Sequence, residues 1–244
     1  MKNSSDIRLT SVSIERINNI LNYDPIEKIA FGTKKIPDSI ENIEFNNVSY
    51  RYYEKKENAL NNISFKINPN EITAFVGHTG SGKSTIGKIL LRLYKNNTGC
   101  ILINNIDIFN FDKNEYTNLI SVVNQKPFIF NMSIMDNFRL VQKDEDKIKE
   151  VCKKIGIDKM ILNLPNGYET ILKEDATNLS GGQKQLISIA RTVMCDTKII
   201  IFDEVTSALD PKTTNYIIKI LNTIKKDKVI ILITHKLDLM KIAD

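Results

Sequence analysis

A glycine-rich segment constrains the fold of this chain more than any other feature. It fills the pattern G-x-x-x-x-G-K-[ST] with Gly77, His78, Thr79, Gly80, Ser81, Gly82, Lys83, Ser84 and Thr85. A β-branched apolar run over residues 72–76 precedes it, and a helical pattern over residues 85–94 follows it. Glycines let backbone N–H groups point at one ligand, and the positive end of the helix favours an anion. The segment therefore predicts a strand, a phosphate-binding loop and a helix.

Two side chains of this loop are predicted to act directly on a nucleoside triphosphate. Lys83 is expected to reach the β- and γ-phosphates, and the hydroxyl of Ser84 is expected to ligate Mg²⁺. The alternative is a chance glycine-rich turn, which the flanking strand and helix disfavour. We expect His78 to be an exposed loop residue.

Polar side chains also follow three other strand patterns. The run 199–202 ends in Asp203 and Glu204, and two adjacent carboxylates at the edge of a core are costly unless a cation or hydrogen bonds compensate. We therefore expect Asp203 to hold Mg²⁺, directly or through water, and Glu204 to act as the general base. A solvated strand end is the alternative. His235 follows the run 229–233 and is expected to contact the γ-phosphate, whereas Gln125, after the run 120–123, alone indicates little.

A second glycine-rich helix start lies about a hundred residues after the first. It comprises Leu179, Ser180, Gly181, Gly182 and Gln183, and a helical pattern over residues 181–194 begins within it. Ser180 is a typical N-cap, and the N-terminal end of the helix favours an anion. We infer that a phosphate is held from a second side as well, by another copy of the protein.

Composition excludes several classes of protein. Hydrophobic residues make up 42% of the 244, which suits one globular domain with a sizeable core. The net charge is +5, from 34 basic and 29 acidic residues, and no compact basic run carries interleaved aromatics, so we expect no nucleic-acid partner. The three cysteines lack metal-ligand spacing, which fits a reduced, cytosolic compartment, and no apolar run approaches a membrane span.

The order of patterns predicts an α/β fold with two parts. Residues 1–40 form an N-terminal helix within residues 11–23 and a linker over 24–39, and residues 41–244 form the main domain. Strand patterns over 43–52 and 63–67 predict an antiparallel edge layer, and the short apolar runs predict a mostly parallel core sheet. The Lys- and Glu-rich region 143–164 predicts a helical subdomain, which we place at about residues 126–196.

With these motifs in place, the chain resembles the ATP-binding-cassette (ABC) transporter family from residue 43 to residue 244. The resemblance covers a Walker A segment (77–85), a Q-loop (Gln125), a signature segment (179–183), a Walker B strand (199–203), the catalytic Glu204, a D-loop (207–210) and the switch His235. It implies the fold of P-loop ABC ATPases, ATP and Mg²⁺ as ligands, and catalytic roles for Glu204, His235, Gln125 and Lys83. It also implies that Ser84, Gln125 and Asp203 hold the metal.

The resemblance further implies that two such domains pack head to tail. The signature segment and Asp210 of one domain then contact the nucleotide held by the phosphate-binding loop of the other. Tyr52 stands where the family has its adenine-stacking aromatic residue, although plain strand packing is the alternative and Tyr50 and Tyr53 are close by.

Two segments resemble exporters rather than importers: Pro127–Asn131 after the Q-loop, and Tyr168–Glu174, the X-loop, before the signature segment. The chain departs from the family at Lys173 and Ala176, where glycines are usual, and at Leu186, where an arginine is usual. The residues 13–17 resemble the cytosolic end of an exporter's last transmembrane helix, and the chain stops at Asp244, where relatives usually continue. We therefore expect a domain of a longer membrane protein, although a separate subunit is an alternative.

Three functions follow from these patterns. The leading hypothesis is the ATP-hydrolysing domain of an exporter, at the cytoplasmic face of a membrane, with a second ABC domain and a transmembrane domain as partners. The alternative is a soluble ABC ATPase that acts on DNA or ribosomes; the chain lacks the long coiled coil or the second cassette of such proteins. A regulatory module without turnover is disfavoured by Glu204 and His235. The sequence does not identify the cargo or distinguish a homodimer from a heterodimer.

Overall fold

The computed structural model describes residues 2–22, 29–53, 55–207 and 209–244. The chain divides into two compact units, Met1–Ala30 and Phe31–Asp244. In the first unit, helix α1 (Lys2–Leu21) begins well before the helix expected within residues 11–23, and Tyr23 with the first part of the predicted linker lies outside the described residues. Within the described ranges, no helix combines the length and the apolar character that a bilayer crossing requires.

The described residues of the second unit form two four-stranded sheets, and the sequence patterns predicted all strands of the parallel sheet but only two of the antiparallel sheet. The antiparallel sheet has the order β2 (Leu60–Ile67), β1 (Ile43–Tyr50), β4 (Thr98–Ile103) and β5 (Ile106–Asp107). The parallel sheet has the order β3 (Ile72–Val76), β8 (Val229–Thr234), β7 (Ile199–Asp203) and β6 (Ile120–Val123). The predicted α/β class, with a parallel core sheet and an antiparallel edge layer, is confirmed. The strand expected at 63–67 starts earlier, at Leu60.

Helices of the second unit contribute to two cores, one of which is shared with the antiparallel sheet. These helices are α2 (Lys83–Leu90), α3 (Lys113–Thr117), α4 (Ile134–Arg139), α5 (Glu145–Lys154), α6 (Asp158–Leu162), α7 (Gly181–Met194), α8 (Pro211–Ile224) and α9 (Leu237–Met240), with short 3-10 turns at Ile108–Asn110, Gly167–Glu169 and Glu174–Ala176. Helix α7 has the predicted bounds. The pattern over 143–164 resolves into α5 and α6, which Gly156, with a φ of 82°, separates.

Helix α2 ends four residues before the expected end at Tyr94. Arg92 adopts a left-handed backbone conformation with a φ of 55°. The N–H of Leu93 then donates to Lys88 O at 2.9 Å, and the N–H of Arg92 donates to Ile89 O at 2.8 Å. These two bonds form a Schellman motif, which satisfies the last carbonyls of the helix and ends it.

The parallel sheet is buried on both faces, which explains its continuous apolar runs. Along β7, Ile200 and Phe202 belong to a core that includes side chains of α4, α5, α7 and α8. Ile199 and Ile201 belong to a second core, shared with the antiparallel sheet and α2. Alternate residues of this strand therefore enter different cores. Because β3, β8 and β7 pair in parallel, their carboxyl ends lie at the same edge of the sheet.

The second half of the predicted linker makes hydrogen bonds within the second unit. The N–H of Gly32 donates to Phe109 O at 2.8 Å, and the N–H of Lys34 donates to Asn110 O at 3.0 Å. Lys198 Nζ donates to Pro37 O at 2.7 Å and to Asp38 O at 2.6 Å. Residues 32–38 therefore belong with the second unit, and the domain bounds at residue 40 stay a prediction.

Gly99 is expected to be the glycine on which the antiparallel sheet most depends. It has a φ of 77°, and a Cβ at this position would lie 2.3 Å from Asn46 O and 2.4 Å from Asn47 O, where β1 has a register shift. We expect Gly99→Ala to lower the free energy of unfolding by about 3 kcal/mol. The left-handed conformation is strained for alanine, and backbone atoms of β1 must also move to admit the added Cβ. Urea titration measures this change.

Gly167→Ala is the matched control for that substitution. Gly167 also has a positive φ, 52°, but the nearest atom to an added Cβ is Leu162 Cδ2 at 3.7 Å. Its cost should therefore be that of the conformation alone, about 1–2 kcal/mol. Equal losses for the two variants would show that crowding against β1 contributes nothing.

Candidate active site

The phosphate-binding loop is closed around the ammonium group of Lys83. Lys83 is the first residue of α2, and its Nζ donates to Gly77 O at 2.7 Å, to His78 O at 2.9 Å and to Ser81 Oγ at 3.4 Å. Gly82 has a φ of 90°, and a Cβ there would lie 2.5 Å from Ala59 O, so only glycine fits. The positive charge thus lies within the loop at the carboxyl end of β3. His78 is exposed, as expected.

A cavity of about 500 Å³ opens beside this loop. It is lined by Tyr52, Lys55, Lys56, Glu57, Asn58, Ala59, Thr79, Gly80, Gly82, Lys83, Ser84, Thr85 and Glu204. The structure therefore brings the phosphate-binding loop, the predicted base and the predicted aromatic residue to one cavity. Asp203, His235 and Gln125 are not among its lining residues.

The two carboxylates at the end of β7 lie in an environment that disfavours their joint ionisation. Burial raises the pKa of Asp203, the adjacent charge of Glu204 raises it further, and Lys88 and Lys83 oppose the shift. A cation bound here would relieve this repulsion. Within the described ranges, no group of three or more His, Cys, Asp or Glu side chains could hold a metal ion. The donor set of Asp203 and the Ser84 hydroxyl suits Mg²⁺, which takes few protein ligands and completes its shell with phosphates and water.

Glu204 is held by its backbone at the junction of two strands. Its N–H donates to Ile233 O at 2.8 Å, and its φ of 50° is a left-handed conformation that is uncommon for a glutamate. Its Oε1 lies 3.6 Å from His235 Nδ1. The structure thus brings together the two residues that were predicted as base and switch, although it shows no tighter hydrogen bond between them.

Gln125 contacts the D-loop rather than the phosphate-binding loop. Its Nε2 donates to Ser207 Oγ at 3.0 Å. Ala208, also part of the predicted D-loop, lies outside the described residues. The role of Gln125 as a metal ligand and catalytic residue stays a prediction, and the observed contact joins the Q-loop to the segment after Glu204.

The signature segment is ordered by a complete capping box at the start of α7. Ser180 Oγ accepts from the N–H of Gln183 at 3.2 Å, and Gln183 Oε1 accepts from the N–H of Ser180 at 2.8 Å. The amide of Gln183 is therefore engaged within its own helix. An added Cβ on Gly181 would meet nothing within 4 Å, so the backbone of this residue is open to an approaching group.

The signature segment and the phosphate-binding loop line two different cavities. A second cavity of about 410 Å³ is lined by Met160, Asn163, Ser180, Gly182, Gln183, Leu186, Asp210, Lys212, Thr213 and Tyr216. None of these residues lines the first cavity. Residues predicted to contact one nucleotide are therefore divided between two separate places on the chain.

Tyr52 lines the first cavity and is held there by a hydroxyl contact and two ring contacts. Its hydroxyl lies 3.0 Å from Thr85 Oγ1, and its ring meets Tyr50 and Tyr94 edge to face, with centroids 5.0 and 5.3 Å apart. Tyr50 is buried, and Tyr53 is 73% exposed and does not line the cavity. Of the neighbouring tyrosines, Tyr52 is thus the one held against the site.

The departures from the family in the X-loop have different consequences. Lys173 has a φ of −74°, which any residue adopts. Ala176 is fully buried and has a φ of 48°, which glycine favours and which costs an alanine about 1–2 kcal/mol. The turn is held by Lys184, whose Nζ donates to Asp175 O at 2.5 Å. Leu186, in place of the usual arginine, lines the second cavity.

Two residues that the sequence analysis did not select attach the segment after the Q-loop to two helices, Arg191 of α7 and Asn137 of α4. Arg191 Nη2 donates to Phe128 O at 2.6 Å. The fully buried Asn137 accepts from the N–H of Phe130 at 3.0 Å and donates to Phe130 O at 3.1 Å. A signal was present in the sequence, because each is a polar residue among apolar ones on a helix with a buried face.

A lysine within a glycine-rich loop after one strand of a parallel sheet, with a carboxylate pair at the same edge after the next strand but one, defines a P-loop nucleoside triphosphatase. The chain belongs to the ABC transporter family, because the family model described as "ABC transporter" matches residues 60–207. It is an ATP-binding ATPase domain of that family, of the exporter type, and the predicted recognition is confirmed.

Known proteins similar to this chain are named as exporters. It is 38% identical over 241 residues to the alpha-hemolysin translocation ATP-binding protein HlyB of Escherichia coli O157:H7, covering 98% of this chain and 34% of HlyB. It is 37% identical over 243 residues to a putative export ATP-binding/permease protein of Rickettsia felis, covering 98% and 42%.

The solved structure of a bacterial Atm1-family ABC exporter with ATP bound matches with a TM-score of 0.84 and 28% identity, covering 98% of this chain and 42% of that one. The chain thus spans between a third and a half of the length of these relatives.

Tyr52→Ala is expected to weaken ATP binding by roughly three- to tenfold, because one aromatic stacking contact contributes about 0.5–1.5 kcal/mol. Isothermal titration calorimetry measures the affinity. Tyr53→Ala is the matched control, since this neighbouring tyrosine is exposed and lies outside the cavity. Unchanged affinity in Tyr52→Ala, or an equal loss in both variants, would contradict the assignment of Tyr52.

Proposed function

We propose that this chain powers an ABC exporter by hydrolysing ATP at the cytoplasmic face of a membrane. One observation carries the proposal: the phosphate-binding loop and the signature segment line two separate cavities of the same chain. Each cavity holds only part of the residues that a complete site needs. A second ABC domain, identical or related, must therefore supply the missing part.

The geometry of the signature segment supports a head-to-tail arrangement. Gly181 is open to an approaching group, and the capping box of Ser180 and Gln183 fixes the first turn of α7. Exposed N–H groups at a helix N-terminus favour a phosphate. When this end of α7 meets the phosphate-binding loop of a partner, the terminal phosphate of ATP is bound from both sides.

The residues around Lys83 and Glu204 support roles in hydrolysis. Lys83 neutralises the β- and γ-phosphates, and its hydrogen bonds to the loop carbonyls keep it at the centre of the loop. Ser84, Asp203 and Gln125 would hold Mg²⁺, which supplies charge neutralisation on the phosphate oxygens. Glu204, which lines the cavity, accepts a proton from the attacking water. His235, beside Glu204, contacts the γ-phosphate.

The relatives support a transmembrane partner. Their names describe translocation, export and permease proteins, and this chain matches between a third and a half of their length. We therefore infer that the domain acts with a transmembrane domain of the same transporter, and that hydrolysis drives movement of a substrate through it. The closing and opening of two ATP-binding domains would transmit the free energy of hydrolysis.

Glu204→Gln is expected to lower the rate of ATP hydrolysis by ~10²–10⁴-fold, because the amide cannot accept the proton of the attacking water. ATP binding should persist, so that the variant forms a lasting dimer with ATP. Phosphate release measures the rate, and light scattering measures the dimer. Glu57→Gln is a matched control, since Glu57 lines the same cavity without the position at the end of β7. Near-normal turnover in Glu204→Gln would contradict the assigned role.

Ser180→Arg is expected to abolish ATP-dependent dimerisation, because a long charged side chain would replace the cap at the proposed interface. Affinity of the monomer for ATP should remain within about twofold, since Ser180 does not line the first cavity. Ser180→Thr, which preserves the cap, provides the control. Light scattering with ATP measures dimerisation, and undiminished dimers of Ser180→Arg would argue against head-to-tail closure through this helix.

A further inference from the structure

Thr213 lies in the first turn of α8 and binds the carboxylate of Asp210 in two ways. Its hydroxyl donates to Asp210 Oδ2 at 2.6 Å, and its N–H donates to Asp210 Oδ1 at 2.9 Å. The hydroxyl bond is the largest cause that lowers the pKa of Asp210 below its usual range. The anion of Asp210 is therefore favoured, and both oxygens of its carboxylate accept a hydrogen bond from Thr213.

The same side chain lies against the signature segment. A Cβ built on Gly182 would be 2.8 Å from Thr213 Oγ1 and 2.9 Å from Thr213 Cγ2. The backbone of Gly182 does not have a positive φ, so space rather than conformation requires glycine at this position. Gly181, by contrast, has nothing within 4 Å. Lack of space therefore explains the glycine at position 182 but not the glycine at position 181.

The bond to Asp210 and the closeness of Gly182 both depend on the present orientation of the Thr213 side chain. Rotation of its side chain away from Gly182 would move the hydroxyl and break its bond to Asp210. Asp210, Thr213 and Gly182 all line the second cavity, together with Ser180. A shift of the first turn of α7 or of α8 would therefore disturb the contact between Gly182 and Thr213.

We propose that Thr213 is a positioning residue that joins the carboxylate of Asp210 to the start of α7, so that both meet the partner domain as one preorganised surface. The proposal rests on the proposed function, in which this surface completes the nucleotide site of the partner. Thr213 acts through Asp210 and Gly182 and does not itself contact the nucleotide. Preorganisation of both groups lowers the cost of closure.

A stability cycle tests the contact without any dimer. Alanine favours a helix over glycine, so Gly182→Ala would stabilise α7 if there were room. We expect it instead to lower the melting temperature by about 2–4 °C or more, because Thr213 must rotate or move. In a Thr213→Ala background the nearest remaining atom is Cβ at 3.4 Å, and Gly182→Ala should then leave the melting temperature unchanged or raise it. The same loss in both backgrounds would overturn the proposal.

Dimerisation of the full chain tests the positioning role, with Glu204→Gln as the background. Thr213→Val keeps the shape against Gly182 and removes the hydroxyl, and Thr213→Ser keeps the hydroxyl. We expect Thr213→Val to weaken the ATP-dependent dimer about tenfold, as for one hydrogen bond to a charged group, and Thr213→Ser to restore it. Affinity of the monomer for ATP and the melting temperature of Thr213→Ser should not change.

The outcomes separate this proposal from the proposed function. If Glu204→Gln with native Thr213 forms no dimer with ATP, head-to-tail closure is contradicted and this proposal fails with it. If that dimer forms and Thr213→Val does not weaken it, this proposal alone is overturned. Equal weakening by Thr213→Val and Thr213→Ser would also overturn it, because the hydroxyl would then not be the group that positions Asp210.

Discussion

The parallel pairing of β3, β8 and β7 is the constraint on which the rest of this structure depends. Their register places Val76 beside Thr234 and Asp203 beside Ile233, so the strands end at the same edge of the sheet. The phosphate-binding loop, the carboxylate pair and His235 follow these ends directly. Because the strands are buried on both faces, a slip of register would place apolar side chains in the wrong core, and the apolar packing thereby holds the polar site in place.

Desolvation of Asp203 at this edge favours a bound cation beside the carboxylate pair. Burial and the charge of Glu204 raise the pKa of Asp203, while Lys83 and Lys88 oppose the shift. The left-handed backbone of Glu204, held by its bond to Ile233 O, keeps the second carboxylate at the cavity despite its conformational cost. A site of this kind is poised for a cation and phosphates, and its strain is concentrated where the chemistry is proposed.

Most strands and the signature helix could be predicted from the sequence because their signals are local. Runs such as residues 199–202 are apolar throughout, and Ser180 with Gln183 marks the start of α7. Strands β4 and β5 were not predicted. The early end of α2 could not be predicted, because it depends on a left-handed arginine, Arg92, for which side-chain chemistry gives no signal. The attachment of residues 32–38 was missed for a similar reason, since it uses backbone bonds and one distant lysine, Lys198.

Within the site, the sequence predicted which residues take part but not how they are arranged in the fold. The separation of Ser180 and Asp210 from the phosphate-binding loop depends on the tertiary arrangement, and so does the contact between Thr213 and Gly182. For Gln125, the sequence predicted a role but not the contact that its side chain makes. Its position after β6 matches the pattern, yet its amide contacts Ser207 Oγ, and its role as a metal ligand stays a prediction.

The proposed head-to-tail closure would also have a kinetic consequence. A lone domain would take up ATP and still lack the groups that complete the site, so nucleotide binding and turnover would become separate events. For free domains, the hydrolysis rate would then rise with the square of protein concentration until dimers saturate. Tethering two domains to one membrane assembly would replace that encounter with a high effective concentration, and turnover would follow the geometry of the assembly instead.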